Sequence, residues 1–163
     1  MGISSYIVSL RRRIGNDLLL LPSVGAVIFD DHRRVLLQQA RDDGKWYAPG
    51  GAVDPGEDPA DAIVREMLEE TGLIVEPVRV LQVATSAEIT YANGHRCQYV
   101  GMSFICRVVS GALKVSDDES LDLRFFDTDA LPPLPEYQRH RIEQAVADEP
   151  GVWFRFKGEW RRA

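Results

Sequence analysis

The stretch GAVDPGEDPADAIVREMLEETGL, residues 51–73, holds a helix with both ends marked and three carboxylates crowded near its close. Asp58 is a good N-cap, Pro59 suits the first helical position, and Asp61 falls in the first turn, where acidic side chains meet the positive end of the helix dipole. Gly72 fits the position that ends a helix. Between these signals Ala60, Ile63, Val64, Met67 and Leu68 predict an apolar stripe facing a core. Glu66, Glu69 and Glu70 meet at one spot beside it, because residues three and four apart are neighbours on a helix. A like-charge pair at that spacing costs only about 0.2–0.5 kcal/mol on an exposed helix. A solvated acidic face therefore accounts for REMLEETG (65–72) taken alone, and the flanks must decide.

Carboxylates beside an apolar stripe are partly enclosed and need counter-charge. Arg65 can answer Glu69 at i,i+4 or reach back to Glu57; the remainder ask for a cation, and hard oxygen ligands suit Mg²⁺ or Mn²⁺. Just upstream, Gly50 and Gly51 let backbone approach a ligand closely, and their carbonyls would add a metal ligand. A glycine loop beside an acidic metal site suits a diphosphate, whose oxygens the metal neutralises.

Residues 51–73 resemble the Nudix box, Gx5Ex7REUxEExGU with U apolar. Every fixed position matches: Gly51, Glu57, Arg65, Glu66, Met67, Glu69, Glu70, Gly72 and Leu73. The lead-in WYAPG (46–50) is similar too, and the strand order resembles the family from about 22 to 134. The resemblance implies an α/β chain with the Nudix fold, a mixed β-sheet sandwiched between helices. It implies Mg²⁺-dependent hydrolysis, with Mn²⁺ as alternative ion, of a nucleoside diphosphate linked to another moiety. Nucleotide sugars, ADP-ribose, dinucleoside polyphosphates and NTPs all belong to that class, and water attacks phosphorus. By position, Glu66, Glu69 and Glu70 become metal ligands, joined by the Gly51 carbonyl, while Arg65 and Glu57 form a supporting ion pair. The general base is Glu66, Glu70 or a carboxylate from a distal loop. Asp117-Asp118-Glu119 is the leading distal source, with Glu119 where many relatives carry another acidic ligand; a polar turn before a strand explains it equally well.

On the substrate side, Trp46 and Tyr47 stand beside the glycine loop and could stack on a base, or simply pack. Tyr91 lies roughly where relatives acting on dinucleoside polyphosphates carry a tyrosine, and it also reads as a hairpin residue. Glu88 stands where ADP-ribose-cleaving relatives have a proline. His32, His95 and His140 read as structural or exposed. A noncatalytic Nudix-fold nucleotide-sensing or interaction module, with the aromatic tail as contact in the latter case, is the alternative reading; retention of every box glutamate stands against the sensing form.

Outside the box the chain reads as one domain of 163 residues with ordinary globular composition. A net charge of −6 argues against nonspecific nucleic-acid binding. Cys97 and Cys106 have no metal-ligand spacing, which fits a reducing, cytoplasmic setting. LRRRIGNDLLLLPSVGAVIF imitates a signal peptide, but Asn16 and Asp17 interrupt the join and Pro22 breaks the run. The apolar run 18–29 is too short to span a bilayer and reads as a buried strand, so a soluble protein is expected.

The remaining pattern predicts a helix over 4–15 capped by Ser4 or Ser5, with Ile7, Leu10 and Ile14 on one face and Arg11, Arg12 and Arg13 toward solvent. Strands follow at 23–30 and 33–40 around Asp31–His32, and residues 45–58 are loop with one short strand. Two long strands, 77–94 and 95–111, flank Asn93–Gly94, and another covers 121–127. A helix over 135–149 starts near Pro135 and turns Ile142, Ala145 and Val146 inward. The chain divides into a helical segment (1–17), a Nudix domain (18–149) and an aromatic, basic tail (150–163) that packs back or serves a homodimer.

Overall fold

In the computed structural model, which describes residues 4–116 and 118–163, the chain begins with helix α1 (Ser5–Ile14). Strands β1 (Leu19–Ile28), β2 (Val35–Ala40) and β3 (Trp46–Tyr47) follow. Helix α2 (Pro59–Thr71) leads to β4 (Leu73–Thr85), β5 (Ile89–Thr90), β6 (Arg96–Gly111) and β7 (Ser120–Phe126). Helix α3 (Glu136–Ala147) and strands β8 (Trp153–Phe156) and β9 (Glu159–Arg162) complete it. The main sheet runs β1-β6-β4-β8-β9, with β5 also paired to β6, and a smaller sheet runs β3-β2-β7. The main sheet is mixed: β1 lies parallel to β6, β4 antiparallel to β6, and β8 parallel to β4.

Alternation along these strands fills both faces. Val24, Ala26 and Ile28 of β1 join Phe104 and Cys106 of β6 against Ala62, Ile63 and Met67 of α2. Val27 points the other way, into a cluster with Leu81, Ile142 and Ala145 under α3. Side chains of period two, apolar at both phases, require a cover on each side, and the two helices supply it. The result is the mixed sheet between helices that the box resemblance implied. Pro22 sits in β1 at the sheet's edge, where its missing N–H is tolerated. Among the described residues no helix is long and apolar enough to cross a membrane.

Several local expectations change. Asp58 holds the N-cap position of α2, but its side chain makes no capping hydrogen bond; its carbonyl receives the N–H groups of Asp61 and Ala62. Gly72 ends the helix in the left-handed region at φ 71°, as the sequence predicts. The buried stripe of α2 is Ala62, Ile63, Met67, Glu70 and Thr71, whereas Ala60 and Leu68 are exposed. The helix is turned so that Glu70, not Leu68, comes inward, because the glycine loop accepts its carboxylate. On α3, Ile142 and Ala145 are buried but Val146 is exposed.

Arg11 departs most from its expectation. It is buried, not solvated, and donates to the carbonyls of Gly15, Asp17 and Arg96 at 3.1, 2.7 and 2.6 Å and to Cys97 Sγ at 3.0 Å. Its fork gathers carbonyls left over at the end of α1 and ties that helix to β6. The strand expected over 77–94 begins earlier, directly after Gly72, and breaks after Thr85. Ser86 still pairs with Tyr99, and Ile89 pairs with Cys97, so Ala87 and Glu88 form a bulge opposite Gln98. The Asn93–Gly94 turn forms, with Gly94 N–H bonded to the Tyr91 carbonyl at 2.9 Å. Strands β1 and β2 share one bridge, Phe29–Val35, and then diverge into separate sheets. The tail packs back: Trp153 and Phe154 align with Gln82 and Val83 of β4.

Candidate active site

Residues 49–53 run along the free edge of β1. Ala26 N–H donates to the Pro49 carbonyl and Val24 N–H to the Gly51 carbonyl, both at 2.9 Å. This brings the loop against both strand and α2, and the two glycines allow it. A Cβ on Gly50, at φ 153°, would lie 2.2 Å from the Val24 carbonyl oxygen. A Cβ on Gly51 would lie 2.3 Å from Glu66 Oε1. Gly50 N–H donates to Glu70 Oε2 at 3.1 Å, so the loop and the carboxylates of α2 are directly joined.

Arg65 organises the acidic cluster. It grips Glu57 with two bonds, Nε to Oε1 at 2.8 Å and Nη2 to Oε2 at 2.9 Å. Its Nη1 donates to Glu66 Oε1 at 2.9 Å and to Glu69 Oε2 at 3.1 Å, and Nη2 also reaches the Ala52 carbonyl. The sequence left Glu57 and Glu69 as alternative partners; Arg65 holds both. These bonds, with one from the Asp54 N–H, keep the Glu57 carboxyl below its ordinary range. Glu66 is pushed the other way. Burial raises its pKa, the charges of Glu69 and Glu119 add to the rise, and Arg65 opposes it. An enclosed carboxylate facing like charges gains most from a nearby cation.

The donor set is all oxygen: carboxylates of Glu66, Glu69 and Glu70 with the carbonyls of the glycine loop. That chemistry fits a hard divalent ion such as Mg²⁺ or Mn²⁺. Arg65 engages one oxygen each of Glu66 and Glu69, leaving the second oxygen of each without an Arg65 bond. The Gly51 carbonyl spends one lone pair on Val24. In this arrangement, among the described residues, no three His, Cys, Asp or Glu side chains close into a metal cage. The oxygens are gathered beside the glycine loop without closing on one point.

Glu119 lies in the exposed turn before β7, within electrostatic reach of Glu66. That turn is held by Arg41, whose backbone N–H donates to the Glu119 carbonyl and whose Nε donates to the Asp118 carbonyl. Asp117 lies outside the described residues. Trp46 packs edge-on against Phe126, centroids 4.8 Å apart, within the core under α3. The Tyr47 hydroxyl donates to Asp43 at 2.6 Å, and burial with that bond raises its pKa. The hydroxyls of Tyr91 and Tyr99 are 2.8 Å apart. Tyr47, Tyr91 and Tyr137 are electrostatic neighbours, so two tyrosines read from the sequence gather near one another. Sequence reasoning missed Gln138 and Arg141 of α3. Gln138 Oε1 accepts the Ala48 N–H at 3.1 Å, and Arg141 lies against Gly25. The available signal was polar residues at helical spacing from Ile142 and Ala145, inside an otherwise inward face.

A family model described as the NUDIX domain matches residues 19–147. The chain belongs to the Nudix family. It is 34% identical over 113 residues to an 8-oxo-dGDP phosphatase of Mus musculus, a match covering 66% of this chain and 32% of that protein. It is 34% identical over 114 residues to an ADP-ribose pyrophosphatase of Methanocaldococcus jannaschii, covering 69% of this chain and 64% of that one. The chain thus spans from about a third to just under two thirds of these relatives. Among solved structures, an ADP-ribose pyrophosphatase from Streptococcus suis superposes with a TM-score of 0.64 at 26% identity, covering 83% of this chain and 98% of that chain. In this Nudix chain the box is helix α2 together with the glycine loop, clasped by Arg65.

Proposed function

We propose that this Nudix protein is a divalent-metal-dependent pyrophosphohydrolase. It cleaves the diphosphate linkage of a nucleoside diphosphate joined to another moiety, by attack of water on phosphorus. The observation that carries this reading is the complete carboxylate cluster hung on Arg65 and seated against Gly50–Gly51. The relatives' names, a nucleoside diphosphate phosphatase and ADP-ribose pyrophosphatases, fall in one substrate class.

Glu66, Glu69 and Glu70, with Glu119 and a carbonyl of the glycine loop, would hold Mg²⁺ or Mn²⁺. When bound, such an ion would neutralise phosphate charge and lower the pKa of a water. Arg65 and Glu57 orient the carboxylates without touching substrate. The attacking water's proton passes to Glu66, Glu70 or Glu119. Tyr47 and Tyr91 line the nucleotide side, and Trp46 holds the strand carrying Tyr47 through its packing on Phe126. The two free, buried cysteines accord with a reducing, cytoplasmic setting.

The test is product release from ADP-ribose, nucleotide sugars, dinucleoside polyphosphates and NTPs with Mg²⁺, Mn²⁺ or EDTA. Metal-dependent turnover of one class, abolished by EDTA, is expected. Nucleotide binding without turnover anywhere would replace the hydrolase with a sensing module.

A further inference from the structure

Four arginines are drawn into this fold; Arg79 has Asp148 as a partner, and two others are fully answered. Arg11 finds three carbonyls and a sulfur; Arg65 finds three carboxylates and a carbonyl. Arg141 finds no protein acceptor among the described residues. Among the described residues its Nε is sealed from solvent without a hydrogen-bond partner, and no ion pair includes it. A buried guanidinium without counter-charge is costly to keep.

Its position is specific. Arg141 projects from α3 onto β1 at Gly25, where a Cβ would lie 2.8 Å from its Nη1. The same Cβ would lie 3.8 Å from the Pro49 carbonyl, so the guanidinium rests directly behind the glycine loop. The side chain as a whole remains partly exposed, which makes its seat a recess and not a sealed cavity. Burial lowers its pKa, and Tyr137 is the neighbour that opposes this.

The surroundings are rich in donors. In the sheet Gly25 aligns with Ser103, Ser103 with Gln82, and Gln82 with Trp153. Among the described residues the Ser103 hydroxyl, on the strand next to Gly25, is buried without a partner, and so are both amide atoms of Gln144, three residues along α3 from Arg141; the Trp153 indole N–H, also unpartnered, lies three strands away. Gln82 Oε1 is the unpartnered acceptor in the row. A cation would be repelled by Arg141, and an apolar group would leave these donors unpaired. A group of several acceptor oxygens carrying negative charge suits them.

We infer that the recess between α3 and β1 is an oxyanion subsite, with Arg141 as its floor and Gly25 as the space that admits it, taking a phosphate-class group. It lies across the glycine loop from the box carboxylates and works without a metal ion. The hydrolase reading supplies the ligand's source, a phosphate of the nucleotide or the phosphate released; the site itself does not depend on turnover.

The experiment is a calorimetric titration of inorganic phosphate and pyrophosphate in EDTA, with wild type, Arg141→Gln, Arg141→Lys and Gly25→Ala, beside thermal melts. Wild type is expected to bind at a roughly millimolar level. Arg141→Gln and Gly25→Ala should weaken binding at least ~10-fold, and Arg141→Lys should keep part of it. The Tm of Arg141→Gln without phosphate should equal or exceed that of wild type, since the variant removes an unanswered charge. Absence of phosphate binding by wild type in EDTA would overturn the inference. So would equal binding by Arg141→Gln, or a Tm lowered by several degrees, which would make Arg141 structural. Failure of the hydrolase reading would instead show as phosphate binding in EDTA with no turnover in Mg²⁺. Substrates with two and three consecutive phosphates then separate the sources. A drop in kcat/KM for one of them in Arg141→Gln marks a substrate phosphate, and a change confined to product inhibition marks released phosphate.

Discussion

The two glycines of the loop perform different tasks, and substitution should separate them. At Gly50 an added Cβ meets the backbone oxygen of Val24, which cannot move without β1. Gly50→Ala should therefore cost more than about 2 kcal/mol of stability, read from denaturant unfolding. At Gly51 the Cβ meets the end of the Glu66 side chain, which can swing away. Gly51→Ala should cost under about 1 kcal/mol, yet lower kcat at least ~10-fold by displacing a carboxylate. Equal effects of both would refute this division.

The pair Glu57–Arg65 also gives a signed pH effect. The hydrogen bonds from Arg65 lower the folded pKa of Glu57 beneath its ordinary value of 4.5. The pair's stability is thus present above that value and lost as pH falls through the depressed one. In Glu57→Gln the acid limb of the Tm profile should be shallower below about pH 4.5 than in wild type. A limb of unchanged slope would show that the bond contributes nothing to folding. Arg65 is 29% exposed, so the coupling belongs near the low end of the ~0.5–3 kcal/mol seen for contacting pairs. At this scale the sequence was partly legible. Spacing placed Glu66, Glu69 and Glu70 together, and one flanking arginine was visibly able to answer them. That Arg65 holds Glu66, Glu69 and Glu57 at once, while Glu70 turns to the Gly50 N–H, depends on where the loop carries Gly50, Ala52 and Glu57, which spacing does not encode.

Among the elements, α1 was legible as a helix but not in how it attaches. Ile7, Leu10 and Ile14 gave its inward face, and Ser4 caps it through Ile7 N–H at 3.4 Å. The anchor is Arg11, whose acceptors lie just past the end of α1 and in β6, the latter far away in sequence. Arg11→Met should undock α1, costing about 1–3 kcal/mol and making the segment 4–17 the first site of limited proteolysis. Proteolysis that starts elsewhere, with Tm unchanged, would contradict that role. The tail was legible locally: Lys157 and Gly158, at φ 52° and 84°, make a turn suited to a tight hairpin. Its docking on β4 was not, because parallel pairing is decided by which sheet edge remains open. The bulge at Ala87–Glu88 was hidden for a similar reason, since apolar alternation continues across it.

For the whole molecule, the fold class followed from the box, and strands apolar at both phases demanded covers on two sides. What remained unreadable is the layer under α3, where Gln138, Arg141 and Gln144 sit among core residues. Single-sequence patterns treat polar residues as outward, so a polar recess in an inward face is invisible to them. The two-sided core also makes a prediction about Cys106. Burial pushes its thiol up to about 12. At pH 8 the native protein should leave Cys106 unlabelled by a thiol reagent on the timescale in which the unfolded chain reacts fully. Rapid native labelling would show the α2-side core opening. A chain of net charge −6 also repels a polyanionic substrate, so the account places the attraction in bound cations and in a few arginines.

The most direct test compares kcat/KM of wild type, Glu66→Gln and Glu70→Gln on the best diphosphate substrate in Mg²⁺, with circular dichroism as the fold control. The account predicts a loss of at least ~100-fold in each variant, with the spectrum and cooperative melt preserved. Near wild-type turnover in either variant would contradict the assignment of the α2 carboxylates as the metal-holding centre.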